Sequence, residues 1–416
     1  MKKLALAMVL VLLCSMFTSI ALAQDKPTLV IWEGEFQKEG ALKEYIRAFN
    51  EKYPDINIEY DIKSADSYVS LLNTALQTGE GPDIFWTHGT KDATMATFVE
   101  QGYLYDMTGD IDLSDYESVH SIAPSVCYVN DKLYCTPAAS IDTRVMYYNT
   151  EIFDAHGYQI PATLSDFEAL CDQMLTDGLV PIALGANNEW GNLFILDPIL
   201  AAVCPEWMSA ASKGEKVHVN DGAVAKAYGK YIEWAKKGYF GTDYLAASED
   251  AAFLAFATQK TAMLSTGTWN CATIEGNNPQ LKFSVFKIPD DQGRQNMVAT
   301  PNSGYSINAK TPHLKESILF AQLLASLEGQ QIFINEFGNI PELPQLSSTK
   351  DVYVEMGKYT GESYQSWYDG VLARPTKDGS SLQSLWGECC VNLLAGIEDL
   401  EAWLNEVDAI IDYDAM

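Results

Sequence analysis

Trp32, Trp86, Trp190 and Trp269 each stand at or just beyond an apolar run, in polar segments that contain glycine. Trp32 precedes Glu33, Glu35 and Phe36, and Trp86 precedes Thr87, His88, Thr90 and Lys91. Trp190 follows Gly185-Ala186-Asn187-Asn188 and Glu189, and Trp269 follows Ser265-Thr266-Gly267-Thr268. Flat rings beside Asn, Asp and Glu suit a sugar: its C–H face rests on the ring while its hydroxyls take hydrogen bonds. A single tryptophan of this kind more readily plugs a core. Four of them at strand ends favour a binding surface. Trp207, Trp234 and Trp403 read as structural, the last two on amphipathic helices.

Motifs for catalysis are missing. The sequence holds no HExxH, GxSxG or GxxxxGK[ST]. Its five histidines never fall at metal-ligand spacing, and Asp110, Asp112 and Asp115 lack the calcium-loop pattern. With 56 acidic residues, a pair of carboxylates at glycosidase spacing is no signal. The expectation is a protein that is not an enzyme and needs neither metal nor cofactor. The 416 residues carry 27 Lys and Arg against those 56 acids, a formal charge of −29. That excess excludes nucleic-acid binding by phosphate neutralisation and disfavours an anionic membrane surface. A 47% apolar, 20% charged composition is that of a folded globular chain.

Lys2 and Lys3, the apolar Leu4–Leu13 and the Ala21-Leu22-Ala23 site before Gln24 make residues 1–23 a secretory signal peptide. Cleavage would remove two lysines and no acid, taking −29 to −31. Leu13 before Cys14 is a poor lipidation site, so an unlipidated, periplasmic or extracellular protein is expected. Cys127 and Cys135 flank the turn-like Val129-Asn130-Asp131-Lys132; with a three-residue loop they would face each other and form a disulfide. Cys389 and Cys390 read as a buried helical pair, and no CxxC is present.

The elements that position these residues follow from periodicity. Leu29–Trp32 is a buried strand, and Leu42, Tyr45, Ile46 and Phe49 give a helix over 41–52 that Pro54 stops. A strand at Ile56–Ile62, a helix at Tyr68–Leu76 and a strand at Asp83–Trp86 complete β-α-β-α-β, the opening of a doubly wound domain. Further strands are expected at Lys132–Pro137, Val145–Tyr148, Val180–Leu184, Thr261–Leu264, Phe283–Phe286 and Tyr305–Ile307. Helices are expected at Leu164–Leu175, capped by Thr163, then at Ala223–Lys236, Lys315–Leu327 and Ile397–Ile411. One unbroken α/β pattern of this length suggests two domains between which the chain crosses more than once.

Taken in order, these segments resemble the extracellular solute-binding proteins of ABC importers, in the sugar-binding group that includes maltose-binding protein. The resemblance covers nearly all of the chain after residue 23. It rests on Ile31-Trp32, Ala48-Phe49-Asn50-Glu51-Lys52-Tyr53-Pro54-Asp55-Ile56, Gly81-Pro82-Asp83-Ile84-Phe85 and Asp131-Lys132-Leu133-Tyr134 with Pro137. Tyr147-Tyr148-Asn149 through Phe153 and Gly157, and Phe256–Met263 with Gly267 and Trp269, extend it. Asn130-Asp131, Cys135 and Gln259-Lys260 depart from the family's usual glycines.

The resemblance implies two doubly wound α/β lobes joined by hinge strands, of the periplasmic-binding-protein type II. The first lobe would be 24–138 with 300–342, the second 143–288 with 343–416, and the hinges would lie near 138–142 and 288–300. It implies a monomer that captures a carbohydrate, an oligosaccharide, in the cleft and passes it to an ABC permease. First-lobe contacts would be Trp32, Glu35, Phe36, Trp86, His88 and Thr90. Asp142 and Arg144 would come from the crossover, and Asn188, Glu189, Trp190 and Trp269 from the second lobe. Asn302, Asn339 and Trp367 match looser segments. Two competing readings are a secreted carbohydrate enzyme and a binding protein for a cation such as a polyamine, the latter favoured by Glu33, Glu35 and Asp142.

Overall fold

The structure, a computed structural model, describes residues 26–416 except 92, 119–122, 349 and 359. The expected signal peptide and cleavage site therefore lie outside the described residues. The strands are β1 (Thr28–Glu33), β2 (Asn57–Ile62), β3 (Ile84–Trp86), β4 (Tyr128–Val129), β5 (Lys132–Leu133), β6 (Pro137–Asn149) and β7 (Val180–Ala183). They continue with β8 (Thr261–Gly267), β9 (Phe283–Phe286), β10 (Met297–Ser303), β11 (Tyr305–Ile307), β12 (Ile340–Pro341) and β13 (Ser363–Tyr364).

One sheet has the order β11-β3-β1-β2, parallel except for β11. Helix Glu39–Lys52 buries Ala41, Leu42, Tyr45, Ala48 and Phe49 in the core beneath it. The Gly-Pro-Asp segment ahead of β3 has a local cause. Asp83 Oδ2 accepts the Val30 backbone N–H at 2.8 Å, and the Asp83 N–H donates to Val30 O at 2.9 Å. This side chain fixes the register in which Ile84 meets Ile31. A side chain at Gly81 would stand 2.8 Å from the end of the Leu76 side chain, so glycine there lets Leu76 of helix Ala65–Thr78 pack without shifting.

The second sheet runs β13-β10-β6-β8-β7, with β9 and β12 also paired to β6. It is packed by helices that include Leu164–Thr176, Glu189–Val203 and Gly222–Lys237. Thr163 caps the first of these reciprocally: its hydroxyl accepts the Asp166 N–H, and Asp166 accepts the Thr163 N–H, both at 3.1 Å.

Three strands join the lobes. Pro137–Thr143 of β6 pairs antiparallel with β10, and Arg144–Asn149 pairs with β8 and β9. Residues 303 to 305 carry β10 into β11 of the first sheet, and β12 meets β6 at Ser140 and Ile141. The strands expected separately at Lys132–Pro137 and Val145–Tyr148 are thus β5 and one thirteen-residue β6. The polar Asp142 and Arg144 interrupt its apolar pattern because the middle of a hinge strand does not lie under a single core.

Other elements differ too. Lys315–Leu327 is two helices, Leu314–Ala325 and Leu327–Glu336, broken at Ser326 in extended backbone. The C-terminal helix is Leu400–Ile410, preceded by Leu382–Leu394, which buries Cys389 and Cys390.

The expected Cys127–Cys135 disulfide is not formed. Asn130 and Asp131 have φ of 50° and 60°, the two-residue turn of a tight hairpin, with Val129 opposite Lys132 and Tyr128 opposite Leu133. Cys127 therefore faces Tyr134, whose N–H donates to Cys127 O at 2.9 Å. A three-residue loop would have set the cysteines opposite each other; the two-residue loop shifts Cys135 one position and onto the other face. Both thiols are buried.

Candidate ligand-binding site

The carboxyl ends of β1 and β3 carry the first-lobe residues. Glu33, the last residue of β1, has no solvent exposure. It accepts the N–H groups of Gly34 and Glu35 at 2.8 and 2.9 Å and the Tyr305 hydroxyl. Burial pushes its carboxyl up to about 7, against the pull of nearby Lys38. Lys38, also buried, pairs with Glu35 at 3.1 Å and lies 4.3 Å over the Trp86 ring. His88 Nε2 stands 4.0 Å from Glu35, with its ring edge-on to Trp86 at 4.3 Å. Trp86 is only 4% exposed and belongs to the first-lobe core, so it is the floor of this patch and not an open platform. Phe36, 63% exposed, and Thr90 project from short 3-10 turns, and Lys63 lies 4.4 Å over the half-buried Trp32.

The second-lobe residues gather at the N-terminus of helix Glu189–Val203. Asn188 is its N-cap, its side chain accepting the Gly191 N–H at 3.3 Å. Trp190, expected in a loop, lies in the first turn and is 38% exposed. Its ring neighbours Tyr368 at 5.1 Å and Phe194 at 6.4 Å; Phe194 meets Trp269 edge-on at 5.3 Å. Pro198, inside the helix, has no N–H for the Phe194 carbonyl. The Ser265 hydroxyl of β8 donates to that carbonyl at 2.7 Å, tying the helix to the strand that leads to Trp269. A side chain at Gly267 would overlap the Trp269 indole, so glycine there lets the ring fold back over the strand end. Trp269 packs against the main cores of both lobes.

Arg144 of β6 lies behind this row, 4.9 Å from the Trp269 ring and 5.5 Å from that of Phe194. Its Nε is 3.2 Å from Asp197 Oδ2. Asp197 is fully buried, and its carboxyl is pushed up to about 6 by burial, against the pull of Arg144.

Asp142 of β6, Asn302 of β10 and Asn339, which immediately precedes β12, are brought together. Asp142 Oδ1 accepts the Asn302 amide at 3.2 Å and the Asn339 amide as well. Asn339 Oδ1 accepts the Thr268 hydroxyl at 2.7 Å. The two asparagines are buried. Trp367 departs from expectation: it is 1% exposed and packs on Trp207 and Tyr228 at 5.6 Å, inside the second core. Its neighbour Tyr368 reaches the aromatic row instead.

Sequence reasoning missed Lys38, Phe194, Asp197 and Tyr368. Asp197 did leave a signal, a single acid in the apolar run from Leu193 to Val203.

A family model described as bacterial extracellular solute-binding protein matches residues 34–331. The chain belongs to the bacterial extracellular solute-binding proteins. A relative in this family is the multiple sugar-binding protein of Streptococcus mutans, 23% identical over 374 residues, 85% of this chain and 87% of the relative. Two solved structures share the fold. One, from work on xylan utilization by Caldanaerobius polysaccharolyticus, has a TM-score of 0.75 at 20% identity, covering 92% of this chain and 99% of its own. The other is the maltose/maltodextrin-binding domain of Bdellovibrio bacteriovorus bound to maltotriose, with a TM-score of 0.67 at 16% identity and coverage of 92% and 97%. The fold is that of two α/β lobes joined by hinge strands, type II. In this solute-binding protein both expected sets of residues lie at or just beyond element ends, the first lobe's after β1 and β3, the second lobe's after β8 and at a helix N-terminus.

Proposed function

We propose that this solute-binding protein captures a carbohydrate, an oligosaccharide, between its lobes and delivers it to the transmembrane subunits of an ABC importer without chemical turnover. The observation that carries this reading is the row Tyr368, Trp190, Phe194 and Trp269, backed by Arg144. Successive rings of this kind suit the apolar faces of linked sugar units, with polar side chains at their rims. The sugar-binding names of relatives support the same class of ligand. The carboxylates that favoured a cationic solute are engaged within the protein: Glu33 by Tyr305, Glu35 by Lys38, and Asp142 by Asn302 and Asn339.

In this reading the first lobe is 24–138 with 300–342, the second is 143–288 with 343–416, and the chain turns at 138–142 and 288–300. The contacts are Trp32, Glu35, Phe36, His88 and Thr90 from the first lobe, and Asn188, Glu189, Trp190, Arg144 and Trp269 from the second. The protein acts as an exported monomer after removal of residues 1–23. Titration calorimetry with raffinose, maltotriose, xylotriose, N,N′,N″-triacetylchitotriose and spermidine tests the reading. Binding of at least one sugar with no product on chromatography is expected. Tight spermidine binding with none of the sugars, or hydrolysis of a bound sugar, would overturn it.

A further inference from the structure

Arg144 is 8% exposed, and its one ion-pair partner among the described residues is Asp197. The pair meets through Nε and Oδ2 at 3.2 Å, an ion pair without the alignment of a hydrogen bond, and both atoms are sealed from solvent. The two Nη groups are not sealed, and no described protein atom accepts a hydrogen bond from them. The guanidinium carbon lies 4.9 Å over the Trp269 ring and 5.5 Å over that of Phe194, and a guanidinium carries its N–H donors as a rigid planar fork. Arg144 therefore offers a two-pronged donor beside Trp269 and Phe194, where the aromatic row begins.

Asp197 holds it there. The carboxylate lies on helix Glu189–Val203, and its Oδ1 accepts the Trp367 N–H at 2.8 Å. One buried group thus ties the helix, β6 and the segment leading to Tyr368. Without Asp197 the guanidinium would be a lone buried cation, so the position of one depends on the other. With Asp197 ionised the pair is neutral, and Asp369 adds further negative character nearby. A ligand carboxylate would bring an uncompensated charge to this spot.

We propose that Arg144 is the specificity-determining residue of the second-lobe surface and Asp197 its positioning residue. The two Nη groups read a pair of neighbouring oxygens on an uncharged sugar unit seated against Trp269. This rests on the carbohydrate reading above. The fork geometry supplies the selectivity, because two parallel donors fit two adjacent acceptors and a missing hydroxyl leaves one donor unmet.

The test is calorimetry on the full chain with the four neutral sugars above, trigalacturonate, and singly deoxygenated analogues of whichever neutral sugar binds. The parent should prefer the neutral sugar over trigalacturonate and lose about tenfold or more in affinity for one of the deoxy analogues. Arg144→Gln should bind the full sugar about tenfold more weakly and no longer distinguish it from that analogue. Arg144→Lys should not restore the discrimination, since an ammonium lacks the fork. Asp197→Asn should lessen the discrimination with Arg144 intact; where that variant does not fold, Asp197→Glu, which displaces the carboxylate, should do the same. Trigalacturonate binding as tightly as the neutral sugars, or full discrimination in Arg144→Gln, would overturn the role of Arg144. Undiminished discrimination in the folded Asp197 variant would overturn that of Asp197. Failure of every sugar to bind the parent would instead overturn the carbohydrate reading, and this inference with it.

Discussion

Glu33 is buried with no ion pair among the described residues, and burial raises its carboxyl to about 7 against the pull of nearby Lys38. Between the ordinary carboxylate value and 7 the folded state holds this proton and the unfolded state does not. Stability contributed here is present at low pH and falls as pH rises through that window. Glu33→Gln keeps an oxygen for the Gly34 and Glu35 N–H groups. The variant should show a flatter decline in urea-unfolding free energy from pH 4.5 to 7.5 and end more stable by about 1–3 kcal/mol at the upper limit. Trp269→Ala should weaken sugar binding by about 2 kcal/mol in calorimetry. Its effect on the thermal midpoint without ligand should be smaller than that of Trp234→Ala. The Trp234 indole is fully buried and donates to Glu168 at 2.7 Å, so its removal should destabilise by about 3–5 kcal/mol. Sequence neighbourhood separated these tryptophans, since Trp269 and Trp190, in polar segments, keep exposed faces while Trp234, on an amphipathic helix, does not. It failed for Trp367 and Trp86, because a polar neighbourhood in sequence does not reveal that a distant element, such as Trp207 or Lys38, covers the ring.

Among elements, the strands that cross between the lobes hold a buried polar network. Asn339 accepts the Thr268 hydroxyl and the Ile340 N–H through Oδ1 and donates to Asp142. Asn339→Ala would remove all three of these hydrogen bonds in a buried setting, a loss of about 1–3 kcal/mol of stability. Chemical denaturation with an unchanged slope should report it. The β-α-β-α-β opening was legible because alternate apolar spacings there are clean and Pro54 and Gly79 mark the ends. Helix Glu189–Val203 was not, since it is apolar on nearly every face and contains Pro198. A fully buried helix has no amphipathic period to detect. The hairpin at Asn130-Asp131 was recognised as a turn, but its loop length was not, and one residue of register moved Cys135 away from Cys127.

At the scale of the whole molecule, the formal charge of −29 spreads like charge over both lobes. Self-repulsion of this size opposes the compact state. Raising sodium chloride from about 0.01 M to about 0.15 M shortens the screening length from roughly 30 to roughly 8 Å. The thermal midpoint without ligand should therefore rise, as read by calorimetric scanning. A ligand shuts the lobes only if it binds the shut form more tightly. Small-angle scattering should therefore show a smaller radius of gyration with saturating sugar, accompanied by a shift in tryptophan emission as Trp269 and Trp190 are covered. The order β11-β3-β1-β2 has a bearing on how such a chain is made. β11 docks on β3 from far along the sequence, and the Thr87–Ser306 side-chain contact beside them spans 219 positions. During ribosomal synthesis the first sheet keeps an open edge until those late residues emerge, and contacts this distant fold slowly. A nascent chain or a fragment ending before residue 305 leaves β3 unpaired on that side, so the first sheet is completed only once those late residues have been made.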